Sequence, residues 1–211
     1  VRFWANKRFL VVNPKSMFYN GWMSRTMIFE RVAMNAQLGR KQTDKICLFI
    51  DNNALSAVLG GRKVNFQRFR DWLVAHREVV VARVYCGELP NDDRDSFYQY
   101  LRRIGFEVIV FKNHRSRSRS ANFDSDIARA ISCEMAWDVC EVLSTGWYNS
   151  VVIVAGGFEM AEICSHIRKR GTEVEVSFPA DSCSPTLRGR ATVFRSFPME
   201  CLTDKMEKVL Q

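Results

Sequence analysis

Four carboxylates stand where apolar runs give way to polar ones. Asp51 closes Leu48-Phe49-Ile50, Asp124 and Asp126 open a long helical stretch, and Glu159 follows Val151–Ala155 and a Gly-Gly turn. Three or four such groups converging on one edge would make an oxygen-lined site for Mg²⁺ or Mn²⁺. A metal held there activates a water and stabilises charge on a phosphoryl group, the needs of phosphodiester hydrolysis. Each residue also has a plainer role open to it. A strand-end Asp caps or orders a loop, and an acid in a first helical turn complements the helix dipole. Close in sequence to Asp124 and Asp126 lies the basic run Lys112-Asn113-His114-Arg115-Ser116-Arg117-Ser118-Arg119-Ser120. Alternating Arg and Ser suits either phosphate contact or a solvated surface loop, with RNA contact favoured by its place beside the acids. His76, His114 and His166 and the seven cysteines offer no clustered zinc spacing and no C-x-x-C pair.

The elements that must position these residues follow from hydrophobic periodicity. Ile46–Asp51 has the form of a buried parallel strand. Asn65–His76 reads as a helix with Phe66, Phe69, Trp72 and Leu73 on one face, and Glu78–Cys86 as a β-rich strand. Asn91–Ile104 is helical, stopped by Gly105, and Phe106–Phe111 is extended. A long helix from about Asp124 to Leu143 lines up Ile127, Ile131, Met135, Val139 and Val142. Ser150–Ala155 is a strand, Met160 to Ile167 lies on a helix ended by Gly171, and Thr172–Phe178 is a fifth strand. The remainder is expected to wrap the sheet edge and to end in a short helix near Leu202–Leu210. Strands separated by helices predict an α/β fold, doubly wound on a mainly parallel five-stranded sheet, with a basic N-terminal extension. Ligands of such sheets bind outside the carboxyl ends of the strands, where Asp51 and Glu159 stand.

The order of motifs resembles the NYN branch of the PIN-like ribonucleases. Leu48-Phe49-Ile50-Asp51-Asn52-Asn53-Ala54-Leu55 is similar to the family's opening strand, which ends in Asp followed by Asn and Leu. Arg83-Val84-Tyr85-Cys86-Gly87, Phe97 to Leu101, and Gly105-Phe106-Glu107-Val108 resemble its second strand, helix and third strand. Asp126-Ile127-Ala128 sits where the family opens its long helix with Asp. Val151 to Met160 lies over its strand–Ser-Gly-Asp-x-Asp-Phe element, and Gly171-Thr172-Glu173-Val174 over its closing turn and strand. The resemblance runs from about Ile46 to Phe197. It implies a metal-dependent endoribonuclease site in which Asp51, Asp126 and Glu159 are the catalytic and metal-binding carboxylates. The sequence also departs from the family. Ala54 stands where the Asn is expected, Gly157 and Glu159 replace the two Asp of the fourth-strand motif, and Ser132 follows Asp126 where another acid is common. A site short of a carboxylate binds Mg²⁺ more weakly and positions water less well, so impaired catalysis is expected.

Charge is unevenly placed. Of the net +8, the segment from Val1 to Lys45 carries +7: nine basic residues, Lys7 and Arg8 among them, against Glu30 and Asp44. Phe3, Trp4, Phe9, Phe18, Tyr19, Trp22 and Phe29 are interleaved, which suits stacking on bases or docking on a protein. The chain is thus divided into a basic aromatic arm (1–44), an α/β domain (45–200) and a C-terminal helix or tail (201–211). No apolar run reaches the ~20 residues of a membrane span, so a soluble protein is expected. Seven widely spread cysteines suit a reducing compartment. With the arm, and a first residue Val that fits removal of a leader, they favour the mitochondrial matrix over the cytoplasm.

Arg115, Arg117, Arg119, Lys7 and Arg8 are the candidate RNA contacts, and no membrane or DNA partner is expected. The favoured function is an RNA-binding, catalytically impaired component of a ribonucleoprotein, such as the mitochondrial ribosome, docked on other proteins through the arm. The alternative is a Mg²⁺- or Mn²⁺-dependent endoribonuclease. A third reading takes the Gly156-Gly157 turn as a phosphate seat, though neither a Walker loop nor G-x-G-x-x-G is present.

Overall fold

A computed structural model describes residues 2–5, 8–11, 44–89, 91–112 and 123–203. The chain divides into two compact units, Val1–Gln42 and Thr43–Gln211. In the first, strands β1 (Arg2–Ala5) and β2 (Arg8–Val11) pair antiparallel, with Arg2 opposite Val11 and Ala5 opposite Arg8.

The second unit is built on β3 (Lys45–Asp51), whose residues Ile46 to Asp51 are all buried. An apolar run of this length fits a strand covered on both faces, and parallel neighbours then require helical crossovers. The crossovers are α1 (Asn52–Val58), a two-residue strand β4 (Lys63–Val64) and α2 (Phe66–Val74), leading into β5 (Glu78–Gly87). Next come α3 (Asn91–Arg103), β6 (Glu107–Phe111), α4 (Phe123–Thr145) and β7 (Ser150–Val154). A 3₁₀ turn (Phe158–Met160), α5 (Ala161–Lys169) and β8 (Glu173–Phe178) follow. Last are α6 (Pro185–Arg190), β9 (Val193–Ser196) and β10 (Leu202–Thr203). The main sheet runs β6-β5-β3-β7-β8-β9, every neighbouring pair parallel.

The α/β fold with a mainly parallel sheet agrees with the sequence. The sheet has six strands where five were expected, the extra one being β9. It is four residues long and lies in a Pro-, Ser- and Arg-rich stretch with no clear alternation. Further on, Leu202-Thr203 is extended and pairs antiparallel with Val64-Lys63 rather than opening the expected helix. The rest of that helix lies outside the described residues.

Burial follows the predicted faces. Phe66, Phe69 and Leu73 of α2 and Ile131, Met135 and Val139 of α4 are fully or almost fully buried. Asn65 caps α2 by accepting the Arg68 amide at 3.0 Å. Two positive-φ glycines, Gly105 (φ 92°) and Gly171 (φ 80°), stand where they were expected to end helices.

Two ionic clusters tie helices to the sheet. Glu175 on β8 is buried between Arg77, at 3.0 Å, and Arg195 of β9. Both guanidinium groups also donate to the Leu73 carbonyl at the end of α2, and Arg195 lies 4.1 Å from the Trp72 ring centre. Free carbonyls and cation–π geometry are what an Arg fork satisfies well at a helix C-terminus. On the other side of β3, Asp138 of α4 is buried against Arg83, 3.0 Å away, and accepts the Tyr85 hydroxyl.

Candidate functional site

Asp51 ends the central strand, in register with Tyr85 of β5, and is the N-cap of α1. Its Oδ1 accepts the Ala54 amide at 2.9 Å. Only 5% of its surface is exposed. Burial pushes the carboxyl up to about 6; the Ala54 and Asn53 amides oppose the rise and the charge of Glu159 adds to it. The sequence Asp-Asn-Asn therefore builds the start of a short helix on the end of a strand. Asn53, one place from where the family carries its Asn, accepts the Gly87 amide at 2.8 Å and locks α1 to the end of β5. Beside them, burial pushes the Cys86 thiol up to about 12, which leaves it protonated and unreactive.

Glu159 lies on the 3₁₀ turn after β7 and is solvent-exposed. The Ser132 hydroxyl of α4 donates to its Oε1 at 3.3 Å. Its carboxylate folds back over Gly157, so that a Cβ at position 157 would overlap it. The Glu at 159 thus fills the room that the absent side chain at 157 leaves. Gly156 is the more tightly constrained, because a Cβ there would overlap the buried Phe178 ring. The Phe178 ring accounts for Gly156, and the exposed Glu159 carboxylate lies over Gly157, where its charge opposes a bound phosphate.

Asp126 stands apart. It is exposed, and among the described residues it pairs with Arg129, at 3.5 Å. Ser132 lies about 9 Å further along the helix axis and roughly 240° around it, so the two cannot serve one point. Among the described residues, no group of three or more His, Cys, Asp and Glu is gathered as a metal would need. The structure brings Asp51 and Glu159 within electrostatic reach and leaves Asp126 facing solvent. Lys7, Arg115, Arg117 and Arg119 lie outside the described residues, and Arg8 is placed only as the first residue of β2.

Among the described side chains, Asp51, Glu159 and Ser132 would leave a Mg²⁺ or Mn²⁺ ion to take most of its ligands from water or a phosphate. The hydrogen bond from Ser132 to Glu159 and the exposure of Phe158 were not anticipated. A hydroxyl carries no charge signal in a sequence, and only the structure shows that Phe158 is 72% exposed.

A parallel α/β sheet carrying a strand-end Asp and a second acid at the adjacent strand's carboxyl end defines the class of doubly wound proteins with an acidic edge. The NYN domain model matches residues 45–200, and the chain belongs to that family. Among solved structures, it is similar to a protein of unknown function from Vibrio parahaemolyticus RIMD 2210633. Identity is 21%, the TM-score 0.65, and the match covers 78% of this chain and 99% of the other, a likeness of fold. A search of curated proteins gives no match. No helix among the described residues is long and apolar enough to cross a membrane.

Proposed function

We propose that this chain is an RNA-binding NYN domain with weak or absent phosphodiester hydrolysis, acting as a structural or assembly component of a ribonucleoprotein. The observation that supports this reading is made on the described residues: no three His, Cys, Asp or Glu gather there as a metal would need, and Asp126 is exposed beside Arg129. One Asp51 oxygen is already engaged by the Ala54 amide. Such a set holds a divalent ion loosely and gives an attacking water little orientation. Arg115, Arg117, Arg119, Lys7 and Arg8 supply phosphate contacts, and the arm (1–44) docks on neighbouring proteins of the particle. The α/β domain (45–200) presents the acidic edge, and 201–211 forms the tail. A mitochondrial ribosome or its assembly intermediate is the favoured setting, on the grounds of the basic arm and free cysteines.

One observation favours the alternative, a Mg²⁺- or Mn²⁺-dependent endoribonuclease. A buried carboxyl raised to about 6 beside a like charge gains more than most from a bound cation. Asp51 and Glu159 would hold the ion, with Ser132 orienting Glu159. The ion, when bound, supplies an activated water and charge stabilisation at the phosphoryl group.

The deciding experiment is incubation of the chain with labelled single-stranded RNA in Mg²⁺ and in Mn²⁺, with Asp51→Asn alongside and a gel shift on the same samples. Salt-sensitive binding without cleavage is the expected result. Cleavage abolished in Asp51→Asn would establish the endoribonuclease instead, and absence of both binding and cleavage would remove RNA from the account.

A further inference from the structure

Phe158 is the feature of the acidic edge that neither metal binding nor packing uses. It is 72% exposed, yet both neighbouring parts of the chain are fixed. On one side Gly156 lies beneath the Phe178 ring and its carbonyl accepts the Ser184 amide at 2.9 Å. On the other, Met160 and Ala161 are each 2% exposed. The ring is therefore held out on a rigid turn, one residue from Glu159.

Single exposed apolar residues are common and by themselves mean little. Position separates this one from the rest. The other exposed aromatic residues described are Trp137, well along α4, and Trp147, just before the amino end of β7. Phe158 alone among them follows the carboxyl end of a strand, where doubly wound sheets take their ligands.

The charge around it restricts what can sit there. Asp51 and Glu159 disfavour a phosphate beside them, whereas an uncharged base meets no such penalty and can stack on an aromatic face. We infer that Phe158 is the stacking platform of a subsite for one unpaired base of single-stranded RNA, lying next to the Asp51–Glu159 edge. The inference rests on the RNA-binding reading and names the part of the RNA that this site takes. Phosphates are then held elsewhere, by the basic residues.

Stacking releases few counterions, so affinity and salt dependence separate the two kinds of contact. The test is fluorescence anisotropy of the full chain with a labelled single-stranded 12-nucleotide RNA, and with the same sequence as a duplex, over a range of salt. Phe158→Ala is expected to weaken single-strand binding about ten-fold, leaving the slope of log affinity against log salt unchanged. Phe158→Tyr is expected to restore binding and Phe158→Leu to fail, since the contact needs a π-face and not only apolar area. A 2-aminopurine probe in the single strand should lose fluorescence with the wild-type chain and keep it with Phe158→Ala. Wild-type affinity in Phe158→Ala or Phe158→Leu would overturn the platform while the RNA reading stands. No RNA binding by the wild-type chain would overturn both. Equal sensitivity of duplex and single strand to Phe158→Ala would also overturn it, because a paired base offers no free face.

Discussion

At the scale of single residues, the Asp51 carboxyl makes stability depend on pH. It titrates at about 6 in the folded chain against an ordinary value of 3.8. Between those values the folded state holds the proton and the unfolded chain does not. Asp51's contribution to stability is therefore greatest below about pH 4, falls as pH rises to about 6, and is level beyond. At pH 7 the buried charge costs at most about 3 kcal/mol. Asp51→Asn keeps a capping oxygen and removes the charge. It is expected to raise unfolding free energy by about 1–3 kcal/mol at pH 7, with the gain shrinking toward zero at pH 4. Urea titrations at the two pH values measure this, and an equal gain at both would contradict it. The place of Asp51 was legible in the sequence because a strand-end acid is placed by the strand itself. The exposure of Asp126 was not, because its direction depends on the phase of α4, set by the burial of Ile131, Met135 and Val139. A sequence motif records the position of an acid along a helix, while the core determines which way the helix is turned.

At the scale of elements, β8, β9 and the end of α2 meet at Glu175. Removing its charge leaves Arg77 and Arg195 together without their shared partner. Glu175→Gln is expected to destabilise the domain by about 2–4 kcal/mol, less than the full cost of an unpaired buried ion because Arg195 is partly exposed. Thermal or urea unfolding checks it. A change below 0.5 kcal/mol, typical of surface substitutions, would mean that water already serves the two guanidinium groups. The long elements were readable from their periods: α2, α3, α4 and five strands lie within a few residues of expectation. Strand β9 and helix α1 were not foreseen. Each is short, and each is held by a long-range tie: β9 by its pairing with β8 and Arg195 on Glu175, α1 by Asn53 on Gly87. Periodicity over four to seven residues is too brief to register such ties.

At the scale of the molecule, the charge division governs how RNA would be held. The unit Val1–Gln42 carries eight basic residues and Glu30, a net +7, which leaves +1 for the rest of the +8 total. Removal of residues 1–42 is expected to flatten the salt dependence of RNA binding by several phosphate contacts, with the slope read from anisotropy titrations. An unchanged slope would assign the arm to protein partners alone.

The pairing of Leu202-Thr203 with Val64-Lys63 bears on the order in which the molecule is assembled. The Asn65 amide also donates to the Cys201 carbonyl at 2.8 Å, so the lead into α2 is completed by chain made more than a hundred residues later. During synthesis, β3, α1 and β4 emerge early and wait. Contacts of such separation form late and slowly, because the intervening loop must close before they stabilise anything. The domain should therefore finish folding only when its last strands leave the ribosome, and a nascent chain halted before Glu175 would keep the end of α2 open to chaperones.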